Sequence, residues 1–217
     1  MSLAAAQVPS ISLAMRWGFM AALLAAGPAA AAEPAVGRAD IVEIWGTRTG
    51  ADGRGGALYD RDQIYFRDTL QTVRDGAMHV TFRDSSVLRL GSEASAVIDE
   101  FVYDPSGNGR LTATVGAGIA RFITGRLKSE QIAVRTPTAT IGVRGTDFSV
   151  WVEESGRTTV WVNDGRITVT PQGGQTETVE DGETVATSGG TLERNARRPN
   201  PDRGLEEPEL ILARRTR

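Results

Sequence analysis

The chain has 217 residues, with 40% hydrophobic and 24% charged content and a formal net charge of −3. That is enough to bury one ordinary core, and the charge balance makes no case for nucleic acid or an anionic membrane surface as partner. There is no cysteine, and His79 is the only histidine. Disulfides, thiolate metal sites, cysteine nucleophiles and multi-histidine metal centres are therefore excluded, and no cofactor or metal is expected.

The first segment reads as a targeting signal. From Met15 the order is a positive Arg16, an apolar run from Trp17 to Ala26, and small residues Ala30-Ala31-Ala32 before Glu33. That order defines a secretory signal peptide over residues 1–32, and Met15 reads as the natural start. The apolar run is shorter than the roughly 18 residues a spanning helix needs, and no other stretch approaches that length. Loss of residues 1–32 removes one arginine and no acid, so the remainder is one unit more negative than the full chain. The expected product is periplasmic or secreted, without a transmembrane span.

From Val36 the pattern changes to short runs of period two. They cover Ile41–Trp45, Met78–Phe82, Ser86–Leu90, Ala96–Tyr103, Leu111–Val115, Gln131–Val134, Phe148–Val152, Thr158–Val162 and Ile167–Thr170. In Phe148–Val152 the residues Phe148, Val150 and Val152 share one face, with Ser149 and Trp151 on the other. Val, Ile and Thr suit a pleated, half-buried surface. Asp75-Gly76, Asp164-Gly165 and Asp181-Gly182 are tight-turn signals, and the stretch from Val160 through Asp164-Gly165 to Val169 reads as a hairpin. The fold class is all-β, a sandwich, roll or short solenoid of many short strands. From residue 191 the chain becomes rich in arginine and proline, and residues 191–217 are expected to be a flexible tail with a short helix around 209–215.

One stretch is more distinctive than the rest. It runs Val134-Arg-Thr-Pro-Thr-Ala-Thr-Ile-Gly-Val-Arg-Gly-Thr-Asp-Phe-Ser-Val150. Pro137 fixes its own φ and holds Thr136 extended, so a bend begins there. Gly142 and Gly145 bracket Val143-Arg144, the mark of a bulge or a close backbone approach. Arg144, Gly145, Thr146 and Asp147 form the candidate binding turn, against the alternative that Arg144 only locks the scaffold. Trp151 and Trp161, on the outward register of their strands, form a second candidate, an aromatic patch for a glycan or a protein partner.

The Val143-Arg-Gly-Thr-Asp-Phe148 core, the Thr136-Pro137 lead-in and the later glycines resemble the FecR-domain family. Upstream, Asp68-x-Leu70-x-Thr72 and Val80-x-Phe82-x-Asp84 resemble its first half, so the likeness covers about residues 37–190. The family implies an envelope sensor or regulator whose domain contacts another protein. This sequence departs from the founding plan, in which a cytoplasmic anti-sigma segment and one membrane helix precede the domain. The implied role is a non-enzymatic interaction or signal-sensing module with an envelope protein as partner. A carbohydrate- or peptidoglycan-binding role is the alternative.

Other chemistry-bearing stretches read blandly. Asp104–Gly109 has alternating oxygen side chains, but Val115 stands where a calcium loop needs a bidentate acid. Gly50–Gly56 lacks the lysine of a phosphate loop. Asp99 and Glu100 are adjacent acids without a partnering feature.

Overall fold

In the computed structural model the described residues are 34–102, 104, 109–127 and 131–199, with Leu205 and Ala213. The expectations for a signal peptide over 1–32 and a helix over 209–215 thus fall outside them, Ala213 apart. The calcium-loop stretch 104–109 is described only at its two ends.

Among the described residues, alternation of apolar and polar residues becomes fifteen strands. In chain order they are β1 (Gly37–Glu43), β2 (Gly46–Thr49), β3 (Gly55–Leu58), β4 (Gln63–Ile64) and β5 (Thr69–Thr72). Next come β6 (Ala77–Phe82), β7 (Val87–Leu90), β8 (Ser95–Val102), β9 (Arg110–Ile123) and β10 (Ile132–Arg135). The last are β11 (Ala139–Val152), β12 (Thr158–Pro171), β13 (Glu177–Glu180), β14 (Thr184–Ser188) and β15 (Thr191–Arg194).

Hydrogen bonding joins all of them into one sheet that folds over on itself. The fold lies along the three 14-residue strands β9, β11 and β12, each of which belongs to both halves. One half runs β15-β14-β12-β11-β9-β7-β6-β1-β4, using the 158–164, 147–152 and 118–123 segments of the shared strands. The other runs β13-β12-β11-β10-β9-β8-β5-β2-β3, using their 166–171, 139–144 and 110–117 segments. Pairing is antiparallel except between β9 and β10. Among the architectures open to the sequence, this is a roll.

The two halves close on one core. Met78, Val80, Leu88, Phe122, Phe148, Val150, Val160 and Val162 come from the first half; Leu70, Ile98, Leu111, Ile141, Val143, Ile167 and Val169 come from the second. The Phe122 and Phe148 rings sit 6.0 Å apart, and Phe82 stacks on Phe101 at 5.7 Å across the halves. Phe148, Val150 and Val152 face this core as the period-two reading requires.

The hairpin read through Asp164-Gly165 is corrected. Residues 158–171 are a single strand, and its hairpin partner is β11, joined by the turn in which Glu153 N–H donates to Arg157 C=O at 3.0 Å. All three Asp-Gly pairs are corners where the chain passes from one half to the other. Asp75 (φ 60°), Gly165 (φ 91°) and Gly182 (φ 77°) take the left-handed backbone there. A tight hairpin and a corner make the same local demand for positive φ, so the dipeptide does not tell them apart.

Candidate functional site

The Val143–Phe148 segment is where β11 crosses between the halves, beside the crossing of β12. Arg144 pairs in register with Arg166, and the next pair is Asp147 with Asp164, so the ladder slips between them. Gly145 absorbs the slip at φ 59°. Gly165 faces it closely enough that a Cβ there would lie 2.6 Å from the Gly145 carbonyl oxygen. No other side chain fits between these two backbones, which explains the glycines on both sides of the crossing.

Thr146 ties the corner to its neighbours. Its hydroxyl donates to the Arg166 carbonyl at 2.6 Å, and its N–H donates to Thr124 Oγ1 at 2.9 Å. In return Thr124 N–H donates to the Thr146 carbonyl at 3.1 Å. Thr146 is 2% exposed, so these bonds stand in for water that cannot reach it.

Asp147 turns the other way, onto the outer face of the first half. Arg121 Nε donates to it at 2.8 Å within a two-bond fork, and Asn163 Nδ2 donates at 3.1 Å while also reaching Ser149 Oγ at 3.2 Å. Burial opposes ionisation of this carboxyl. The hydrogen bonds from Arg121 and Asn163, with the charges of Arg121 and Arg89, outweigh burial and hold it below the usual carboxylate range. Asp147 is thereby committed to the scaffold, paired in the geometry arginine favours.

Arg144 differs from the other three. It is exposed and makes no ion pair among the described residues. Its cross-strand neighbour Arg166 pairs with Glu180 at 2.8 Å, which uses the acid on that row. Both arginines rim a cleft of about 380 Å³ whose wall includes Gly142, Thr168 and Thr178. Gly142 opens the cleft, since a Cβ there would sit 2.6 Å from Thr168 Oγ1. The four residues of the candidate turn thus divide, three building the corner and Arg144 presented to solvent over a hollow.

Trp151 and Trp161 lie together on the outer face of the first half, but that face is not open. Trp161 is 5% exposed, packed with Ile119 and Leu205, and Trp151 borders the same cluster half-buried. The free stacking surface a sugar ring would need is absent at Trp161. The remaining readings also resolve into scaffold. Gly50–Arg54 closes the β2–β3 hairpin. Asp99 accepts from Thr114, and Glu100 pairs with Arg110 at 3.6 Å. His79 is buried in β6.

Sequence reasoning missed Arg121, Thr124, Asn163 and Arg166. Arg121 and Thr124 are remote from the motif in sequence and carry no local signal. Asn163 and Arg166 flank the Asp164-Gly165 pair, and reading that pair as a crossing would have placed both beside the motif.

A crossing of this kind defines a β-roll. Among the described residues no three His, Cys, Asp or Glu side chains converge as a metal site, and no helix is long and apolar enough to cross a membrane. Residues 68–168 match the FecR protein family, so the FecR resemblance holds over that stretch of the chain. Two crystal structures of an anti-sigma factor candidate from Parabacteroides distasonis ATCC 8503 are similar to it. One aligns at 20% identity with a TM-score of 0.48, the other at 21% with 0.44. Each alignment spans 62% of this chain and 60% of that one. No curated protein matches the chain.

Proposed function

We propose that this protein is an exported, non-enzymatic interaction module of the cell envelope, whose FecR domain receives or relays a signal by binding another protein. Residues 1–32 act as its export signal, and residues 37–190 work as one FecR-like unit. The observation that carries the reading is the division of labour in the motif. Gly145, Thr146 and Asp147 are consumed by the corner, while Arg144 stands exposed over a cleft, without an ion pair among the described residues. A guanidinium set beside the paired Arg166 attracts an acidic group on a partner, by a planar two-bond fork. Like charges on directly opposed strand residues repel, so a partner carboxylate also relieves the strand pair.

The test is a crosslinking capture from envelope extract with the chain from Glu33 onward, wild type against Arg144→Ala. The Arg144 side chain makes no ion pair among the described residues, so the variant keeps its unfolding free energy to within about 0.5 kcal/mol. The expected result is one reproducibly captured envelope protein, lost with Arg144→Ala. Equal capture by both forms removes Arg144 from the contact. Retention on cell-wall material, with no protein captured, overturns the relay reading.

A further inference from the structure

The outer face of the first half carries polar side chains that water does not reach. His79, Arg89, Arg121, Ser149 and Trp161 stand in register across β6, β7, β9, β11 and β12. All but Arg121 are buried. Beside them Ile119 pairs with Trp151, and together with Trp161 they form an apolar cluster separate from the core.

The described residue that fills the cluster is Leu205, 4% exposed. Its side chain lies against Ile119 and Trp161, with Trp151 at the edge, and its carbonyl accepts from Arg89 Nη1 at 3.2 Å. One residue is thus read twice, its side chain by an apolar slot and its backbone by a buried guanidinium. Closer along the chain, Arg198 is fastened to the neighbouring strands, with Nε on Thr184 Oγ1 at 2.8 Å and Nη2 on the Gly182 carbonyl at 2.7 Å. Beside Trp151 a cleft of about 800 Å³ opens between Arg157, Glu193 and Arg198.

We infer that this slot is a binding site for a protein segment bearing a leucine-sized side chain, occupied in cis by the chain's own Leu205. A partner presenting such a segment takes the place of the tail, so binding here and release of the tail are one event. The physical basis is that the contact is made within one chain. Among the described residues the Leu205 contact is one side chain and one charge-assisted hydrogen bond, which hold weakly between separate molecules, but covalent connection supplies an effective concentration on the order of 1 mM. Leu205 therefore stays seated without being part of the core. The slot lies on the opposite half from the Arg144 cleft, so the two sites can be tested separately.

The probe is a fluorescein-labelled peptide with the sequence of residues 200–213, titrated by anisotropy into the full chain and into its Leu205→Asp form. The expected result is binding to the Leu205→Asp chain at least tenfold tighter than to wild type, where the slot is filled. The same peptide with Asp for leucine at 205 should bind neither form, which removes the other tail leucines as the cause. In the variant, tryptophan emission shifts to longer wavelength as Trp161 meets water, and the unaltered peptide reverses the shift. Should the variant lose its far-ultraviolet β signal, Leu205→Ala serves with the same expected order. Equal binding to both chains, binding to neither, or an emission shift the peptide does not reverse overturns the inference. Leu205 would then be a fixed part of the fold.

Discussion

If the corner is what the motif builds, then glycine at 165 carries two separate demands, and one control isolates the second. Gly165 has φ 91°, and a Cβ there would meet the Gly145 carbonyl oxygen at 2.6 Å and Thr146 Cα at 3.3 Å. Gly173 has φ 74°, with nothing within 4 Å of its missing Cβ. Alanine at either position pays the left-handed backbone penalty, about 1–2 kcal/mol. Only Gly165→Ala adds a clash against backbone, which cannot swing aside as a side-chain end could. Overpacking of that kind costs about 1–3 kcal/mol, so the total at 165 is about 2–5 kcal/mol. With a urea slope of about 2 kcal/mol/M, the midpoint falls by roughly 1–2.5 M for Gly165→Ala and by about 0.5–1 M for Gly173→Ala. Equilibrium unfolding followed by tryptophan emission reads both. Equal shifts for the two variants would show that the strands have room to part at 165, and the account of the crossing would fail.

Three further outcomes follow from the same geometry. Phe148→Ala, which empties a fully buried position beside Phe122, should cost about 3–5 kcal/mol in the same unfolding assay. Thr146→Val keeps the shape but strands the Arg166 carbonyl, and should cost about 1–3 kcal/mol while Thr146→Ser costs less. Two aspartates should respond oppositely to acid, measured as unfolding midpoints between pH 3 and pH 7. The Asp147 carboxyl is held low in the folded state, so it stabilises above its unfolded value near 3.8 and that stabilisation is lost as pH falls through the folded value. The advantage of wild type over Asp147→Asn should therefore shrink on acidification. Burial raises the Asp68 carboxyl, against the Tyr65 N–H and Arg48 that favour its ionised form. Ionising it as pH rises costs the folded state, so wild type should lose ground to Asp68→Asn on going up in pH.

Much of the fold was open to reading from residue order, and the reason is local. Phe148, Val150 and Val152 alternate with Ser149 and Trp151, and a period of two survives whatever the partner strand is. Strand pairing across the halves leaves no such trace. Residues 158–171 contain two good strands and an Asp-Gly between them, which is the pattern of a hairpin and equally that of one strand turning a corner. What separates the cases is Gly145 on the neighbouring strand, and nothing within 158–171 announces it. The candidate turn was legible as a position, because two glycines around Val143-Arg144 mark a backbone constraint. Its partition was not. Asp147 belongs to the scaffold because Arg121, on a strand reached through a different part of the chain, lies diagonally across from it, opposite Ser149, and pairs with its carboxylate.

That partition changes what a motif match can mean for function. A signature containing Arg, Thr and Asp between glycines looks like a chemical site, since those are the side chains that bind and polarise. Here the threonine hydroxyl is spent on a carbonyl of the adjacent strand and the aspartate on a neighbouring arginine. Both are satisfied before any ligand arrives, and breaking either bond to reach a ligand would leave a buried or half-buried group unpaired. The arginine alone keeps its full donor set for solvent. On the proposed reading a partner at this rim meets Arg144 and the hollow that Gly142 leaves beside it, while the corner holds that arginine at a fixed place where the two halves of the sheet meet. A partner that binds there meets a rigid edge, and one that displaces Leu205 meets a tethered one; the first contact suits recognition, and the second suits release.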